Sequence, residues 1–300
     1  MRIVTRADFD SIACAVLLGD VLDIDRGIKW VEPGEIQKQA FAIEPDDIIA
    51  NLPHVEGCLM WFDHHFTNRI DGPFNGLYRI APSAAGLIHE YYQGKFSRDF
   101  SELAFQADKI DSADLTYAEV LCPEKHPYLL LSMTIISHHK ADAPYWNHLV
   151  HLIGRHDGIA DVMSDDQVAA RCRQTVLENQ RYKDYLQKYT KLIGPVSVTD
   201  FRPLDAAPTG NRFLVYSLFP EAVVNMKIRY DAKDRNSVLV SVGHSIFNKN
   251  CHVNVGDMLS RFEGGGHAAA GACGFAADKA EAYIPRIIDI LVQNKPGGAD

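Results

Sequence analysis

Asp63-His64-His65 follows directly on the apolar run Cys58-Leu59-Met60-Trp61-Phe62. Such a run reads as a short buried strand, so a carboxylate and two imidazoles emerge together at its C-terminal tip. Open α/β sheets bind ligands at the carboxyl ends of their strands, and this trio suits a transition metal or a phosphate. A polar turn after a core strand would be the better account of it if it stood alone. A second acidic cluster changes that balance. Arg2-Ile3-Val4-Thr5 reads as a first strand, Arg6-Ala7-Asp8-Phe9-Asp10 follows it, and residues 11–22 carry the apolar spacing of a helix. Helix capping by Asp10 explains one aspartate but not two, and it does not exclude metal binding.

These residues resemble the DHH phosphoesterase superfamily: strand, Asp-x-Asp, helix, then Phe62-Asp63-His64-His65. About two hundred residues later, Glu263-Gly264-Gly265-Gly266-His267-Ala268-Ala269-Ala270-Gly271 resembles the glycine-rich signature of the associated C-terminal domain. Within the superfamily the chain is similar to the proteins called exopolyphosphatase-related. The resemblance implies a metal-dependent phosphohydrolase using manganese, with magnesium as the alternative. It implies Asp8, Asp10 and His64 as catalytic metal ligands, with one further aspartate after a later helix. Asp111 is chosen for that place, with Asp108 and Asp114 as rivals. Asp63 would support the centre or bind metal, and His65 would contact the substrate phosphate.

Two positions depart from the family pattern. A histidine expected shortly before the first aspartate is absent, where the chain reads Val4-Thr5-Arg6-Ala7. The aspartate expected at the end of the third strand, which can bridge two ions in related enzymes, is Asn51. Asparagine offers one neutral carbonyl oxygen and so is a weak ligand, and a guanidinium cannot ligate a metal at all. Arg6 is therefore expected to stand in for a missing cation, pairing with Asp8 or binding substrate phosphate. The ion count is left at one or two. A non-catalytic phosphate- or nucleotide-binding protein derived from such an enzyme is the alternative.

Gly264, Gly265 and Gly266 let a backbone approach a ligand closely, and their N–H groups can form an anion-binding nest. His267 would add a hydrogen bond or a charge. A tight turn between helix and strand is the plainer reading of the same glycines. Where the family pattern has arginine before serine, this chain has His244-Ser245, implied to be substrate-binding. Arg261 and Lys249 are possible helpers. His54 could serve as a replacement ligand, though a loop role is expected. His138-His139 and the His148/His151 pair read as surface histidines without carboxylate geometry.

The formal charge of −9 argues against coating long nucleic acid and leaves a short anionic substrate open, such as an oligonucleotide, a nucleotide or polyphosphate. Six cysteines without Cys-x-x-Cys spacing read as reduced thiols, and a strand at the very start leaves no room for a signal peptide. The longest apolar run, residues 128–136, is too short to span a bilayer. A cytoplasmic protein without membrane contact is expected, and relatives suggest a homodimer.

Positioning the clusters requires a parallel α/β sheet with helices on both faces over residues 1–165, with strands at 2–5, 28–31, 47–50 and 58–62. Helices are expected after Ser83 and over 101–110. Residues 166–194 read as a charged connecting helix stopped by Gly194-Pro195. A smaller α/β substrate-binding module follows over 195–300, with strands at 213–218, 223–230 and 238–242 and helices at 257–262 and 279–292. The site is expected in the cleft between the two, and the tail from Asn294 is expected to fray.

Overall fold

Asp47-Ile48-Ile49-Ala50 and Met60-Trp61-Phe62-Asp63 are buried at every position, as strands covered on both faces must be. The computed structural model describes residues 1–38, 41–136 and 140–296. It divides into two units, residues 1–115 with 123–174, and residues 116–122 with 175–300. His138 and His139 lie outside the described residues.

The first unit holds a wholly parallel sheet of β1 (Arg2–Thr5), β2 (Ile28–Trp30), β3 (Asp47–Ala50), β4 (Met60–Asp63) and β5 (Gly76–Tyr78), in the order β2-β1-β3-β4-β5. The helices of the chain are α1 (Phe9–Val21), α2 (Pro33–Gln37), α3 (Ala84–Tyr91), α4 (Ser101–Asp111), α5 (Tyr117–Leu121) and α6 (Pro127–Met133). They continue as α7 (Ala143–Arg155), α8 (Ile159–Ser164), α9 (Asp166–Tyr189), α10 (Leu214–Leu218), α11 (Val255–Ser260) and α12 (Ala280–Gln293). Register sets Val4, Ile49 and Trp61 side by side, and they pack with Val31, Ile36 and Leu52 on one face of the sheet. α1 packs against α3, α4 and α7.

The strand order reverses between β1 and β3, since the chain crosses from β1 outward to β2 and then returns past β1 to β3. In open parallel sheets, crossovers leaving in opposite directions open a crevice at the carboxyl ends of the two strands. Asp8 and Asp10 follow β1, and Asn51 follows β3. β4 ends one strand further along, with Asp63 and His64 at its tip. β5 was not evident from sequence. Gly76 has φ +120°, and a Cβ there would lie 2.0 Å from the Trp61 carbonyl oxygen, so only glycine lets this edge strand close on β4.

The second unit carries a mixed sheet in the order β10-β11-β9-β8-β7-β6. Its strands are β6 (Thr190–Ile193), β7 (Val196–Asp200), β8 (Val224–Tyr230), β9 (Ser237–His244), β10 (Gly264–His267) and β11 (Ala270–Ala276). Val224, Met226, Val240, Phe262 and Ile287 are in its core. Two expectations are corrected here. Where a strand was expected over 213–218, Leu214–Leu218 form α10, because a continuous apolar run carries no period that separates the two. The long helix ends at Tyr189, and Gly194, at φ +56°, turns the chain from β6 into β7 instead of stopping the helix. Among the described residues no helix is long and apolar enough to cross a membrane, and all six cysteines are free.

At the end of the strands away from the crevice, the β1–β3 contact is anchored by a charge pair. Arg2 donates to both Asp47 oxygens at 2.7 and 2.6 Å, and Asp47 is fully buried. Asp47→Ala leaves that guanidinium with only the half-exposed Glu44 carboxylate at 3.2 Å and is expected to cost about 2 kcal/mol in urea unfolding. A loss below ~1 kcal/mol would show that the pair is dispensable for strand pairing.

Candidate metal centre

Thr5 ends β1 with its hydroxyl donating to the Ala50 carbonyl at 2.8 Å, which ties the two loops of the crevice together. Asp8 is the N-cap of α1, accepting from the Ser11 amide at 2.9 Å. Capping therefore falls to Asp8 and not to Asp10, which lies in the first turn at 2% exposure. Asp10 accepts from the Ala84 and Ala85 amides at 3.0 and 2.8 Å, the first two residues of α3. Burial pushes its carboxyl well above the usual range, and the Asp111 and Asp8 charges push it further, while the α3 amides oppose them. A buried carboxylate in that company calls for a cation.

The tip of β4 is organised by Asp63. One of its oxygens accepts from the His64 amide at 2.9 Å, the His65 amide at 3.4 Å and the His65 Nδ1 at 2.8 Å. The other accepts from Asn68 Nδ2 at 2.6 Å. Asp63, fully buried, is thus spent on holding the two histidines. His64 Nδ1 lies 2.9 Å from the Ala81 carbonyl oxygen, which can only accept, so Nδ1 carries a proton and Nε2 is the nitrogen left to face the site. That Nε2 is 3.4 Å from Asp111 Oδ2 and 3.8 Å from Asp10 Oδ2, and it is buried without a hydrogen-bond partner among the described residues. An unpartnered Nε2 facing two carboxylates, with the opposite ring nitrogen pinned to a carbonyl, is an arrangement that suits a metal-binding imidazole.

The three rival aspartates separate cleanly. Asp111, the last residue of α4, faces His64. Asp108 instead accepts from the Ser83 hydroxyl at 2.5 Å, and Ser83 in turn caps α3 through the Gly86 amide. Asp114 is exposed. Asp10, His64 and Asp111 bring their ligand atoms within 4.8 Å of one another, a donor set of oxygens and one imidazole that fits manganese or magnesium. Asp63, His64 and His65 are equally close, but there Asp63 and His65 bond each other directly.

Arg6 Nε lies 2.9 Å from Asp8 Oδ2 as an ion pair whose angle is too poor for a hydrogen bond. Asn51, at φ +56°, directs its Nδ2 to both Asp8 oxygens at 3.1 and 3.2 Å and to the Ser11 hydroxyl at 3.1 Å. Its nitrogen, not its oxygen, faces Asp8, as a carboxylate neighbour requires. The Asn51 oxygen is buried and unpartnered. Among the described residues six buried side-chain polar atoms lack a hydrogen-bond partner, and Arg6 Nε, Asn51 Oδ1 and His64 Nε2 are three of them. Orphaned polar atoms are few in a native interior, and their concentration here marks a ligand site.

His54 is not in either cluster; its ring packs edge-on against Trp61, and burial lowers its pKa. His148, expected to lack a carboxylate, has Asp165 at 3.1 Å, while His151 accepts from Arg155. In the second unit the three glycines form neither a nest nor a tight turn but the edge strand β10, paired with β11. Close approach still demands glycine there, since a Cβ on Gly264 or Gly266 would meet carbonyl oxygens at 2.4 Å. Gly265 is open and His267 exposed. His244 Nε2 is held by the Val253 carbonyl, and the Ser245 hydroxyl accepts from the Asn248 amide at 3.0 Å. Lys249 is exposed. Asn68 and the Ala81 carbonyl went unseen in the sequence, because neither residue type nor spacing marks them.

No protein-family model and no curated protein matches the chain. Solved structures do. The pGpG-specific phosphodiesterase PggH from Vibrio cholerae is 29% identical with a TM-score of 0.86, covering 98% of this chain and 99% of that one. An exopolyphosphatase-related protein from Bacteroides fragilis is 12% identical with a TM-score of 0.54, over 96% and 91% of the two chains. RecJ from Thermus thermophilus, solved with Mn2+, is 14% identical with a TM-score of 0.58 over 97% of this chain, which spans about half (52%) of RecJ. The second and third of these share the fold.

Asp111→Asn is expected to abolish manganese uptake in calorimetry, whereas Asp108→Asn retains it; the reverse result would transfer the ligand role to Asp108. A pH dependence follows from His65, whose pKa is raised chiefly by its hydrogen bond to Asp63. A raised folded pKa stabilises the metal-free protein fully below the unfolded value of about 6.5 and is lost as pH rises through the folded value. Asp63→Asn should remove that slope from urea midpoints and return the His65 NMR titration towards the ordinary value.

Proposed function

The chain has the fold of the DHH phosphoesterase superfamily, and from that premise we propose that it is a metal-dependent phosphodiesterase acting on a short linear oligonucleotide, with pGpG the first substrate to test. The observation that carries the reading is the buried, unpartnered His64 Nε2, which faces Asp10 and Asp111. The likeness to PggH over almost the full length of both chains supports the choice of substrate. We place the protein in the cytoplasm, where free thiols persist and such nucleotides occur.

Asp10, His64 and Asp111 would hold the ion. Bound there, it would lower the pKa of a water and polarise a phosphoryl oxygen. The remaining steps belong to the protein. The α3 amides fix Asp10, so its oxygens stay in place whether or not it is charged. Asp63 holds His65 by Nδ1 and favours its protonated form, leaving Nε2 to donate to the leaving oxygen. Hydrolysis of pGpG would give two GMP: the water oxygen bonds to phosphorus, the ester oxygen leaves, and it takes a proton.

A second reading rests on Asn51 and Arg6: a nucleotide-binding protein without turnover. The two are separated by incubating the chain with pGpG and Mn2+ and following GMP. Release that a chelator stops, and that Asp63→Ala lowers by about 10–100-fold, supports hydrolysis. Tight pGpG binding without GMP supports the second reading.

A further inference from the structure

We propose that this centre takes a single metal ion, and that Arg6 supplies the remaining positive charge and clamps a substrate phosphate oxygen. The inference rests on the reading that Asp10, His64 and Asp111 hold an ion. It concerns what stands beside them.

Asp8 is the carboxylate left for a second ion, and it is already committed. One oxygen accepts from the Ser11 amide and Asn51 Nδ2, and the other from Asn51 Nδ2, with Arg6 Nε 2.9 Å away. Asn51 therefore presents a donor where a second ion would need a ligand oxygen. A metal at Asp8 would have to expel a guanidinium and then meet an amide N–H₂ group. Charge points the same way: the site offers three carboxylates in Asp8, Asp10 and Asp111, which one divalent ion and one guanidinium together match in charge.

Arg6 also has capacity to spare. Among the described residues its two terminal nitrogens have no partner, and its side chain is 30% exposed. A fork held at Nε by Asp8 and open at its tip suits a phosphate, to which arginine donates two parallel hydrogen bonds. Asp8, which holds Arg6 at 2.9 Å, lies two residues before Asp10 at the start of α1. Asp8 then positions Arg6 and caps α1, and does not ligate metal.

Manganese titration by calorimetry tests the count directly, and inorganic phosphate titrated into the manganese-loaded protein tests the clamp. The wild-type chain is expected to bind one ion, and Arg6→His with Asn51→Asp to bind two. Arg6→Ala is expected to keep the single ion and weaken phosphate about 10–100-fold, with Arg6→Lys recovering part of the loss. Two ions in the wild type would overturn the inference and leave the hydrolase reading intact. Unchanged phosphate affinity in both Arg6→Ala and Arg6→Lys would overturn the clamp. Failure of the wild type to take up any ion would overturn the inference together with the metal reading beneath it.

Discussion

The carboxylate of Asp10 is nearly sealed from solvent, and two backbone amides at the start of α3 hold it there. Leaving water costs a carboxylate several kcal/mol, and two amide donors repay only part of that. A series of otherwise unrelated side chains serves this one contact. Gly86 has no side chain because Asp108 stands 2.4 Å from where its Cβ would be. Asp108 can therefore reach the Ser83 hydroxyl, and Ser83 caps α3 through the Gly86 amide. The cap fixes the helix end, the helix end fixes Asp10, and Asp10 faces His64 and Asp111. The unrepaid part of the desolvation cost is what makes the group a candidate to hold a cation.

Sheet topology supplies the second half of the same constraint. Loops after β1, β3 and β4 converge because the strand order reverses between β1 and β3. The chain brings Asp8, Asp10, Asn51 and His64 together from positions up to 56 residues apart without any long-range disulfide or ordered insertion. The Thr5 hydroxyl on the Ala50 carbonyl and the Arg2–Asp47 pair lock β1 to β3 at its two ends. Small errors in that pairing would shift Asp8 relative to Asn51, and hydrogen bonds of 3.1 and 3.2 Å leave little room for a shift.

The centre was legible where residue type and strand ends coincide. Asp63-His64-His65 and the Asp8/Asp10 pair stand out because two such clusters follow two different strands of one sheet. Their division of labour was not legible. Which aspartate caps α1 depends on where the helix begins, and boundaries are the weakest output of periodicity. Asp111 faces His64 while Asp108 is occupied by Ser83, and that contact across 25 residues is one that spacing does not reveal. In the second unit the glycines were read as a loop, although their pairing with β11 makes them a strand. Glycine weakens any strand signal, and only the partner strand restores it.

Asn51 and Arg6 are best understood as one change. The backbone at Asn51 is left-handed, a conformation that asparagine and aspartate tolerate alike, so the choice between them there is electrostatic and not steric. An aspartate would set a carboxylate 3.1–3.2 Å from both Asp8 oxygens, a repulsion that only a cation between them could offset. An asparagine turns the same contact into two hydrogen bonds and needs no ion. Arg6 completes the exchange by neutralising Asp8 from the other side. Either residue without the other leaves the crevice with a charge of the wrong sign: aspartate with arginine is one negative charge too many for a single ion, and asparagine without arginine leaves Asp8 unpaired. The pair is therefore self-consistent as a permanent, protein-borne substitute for a dissociable cation, one that keeps its charge when the metal is absent.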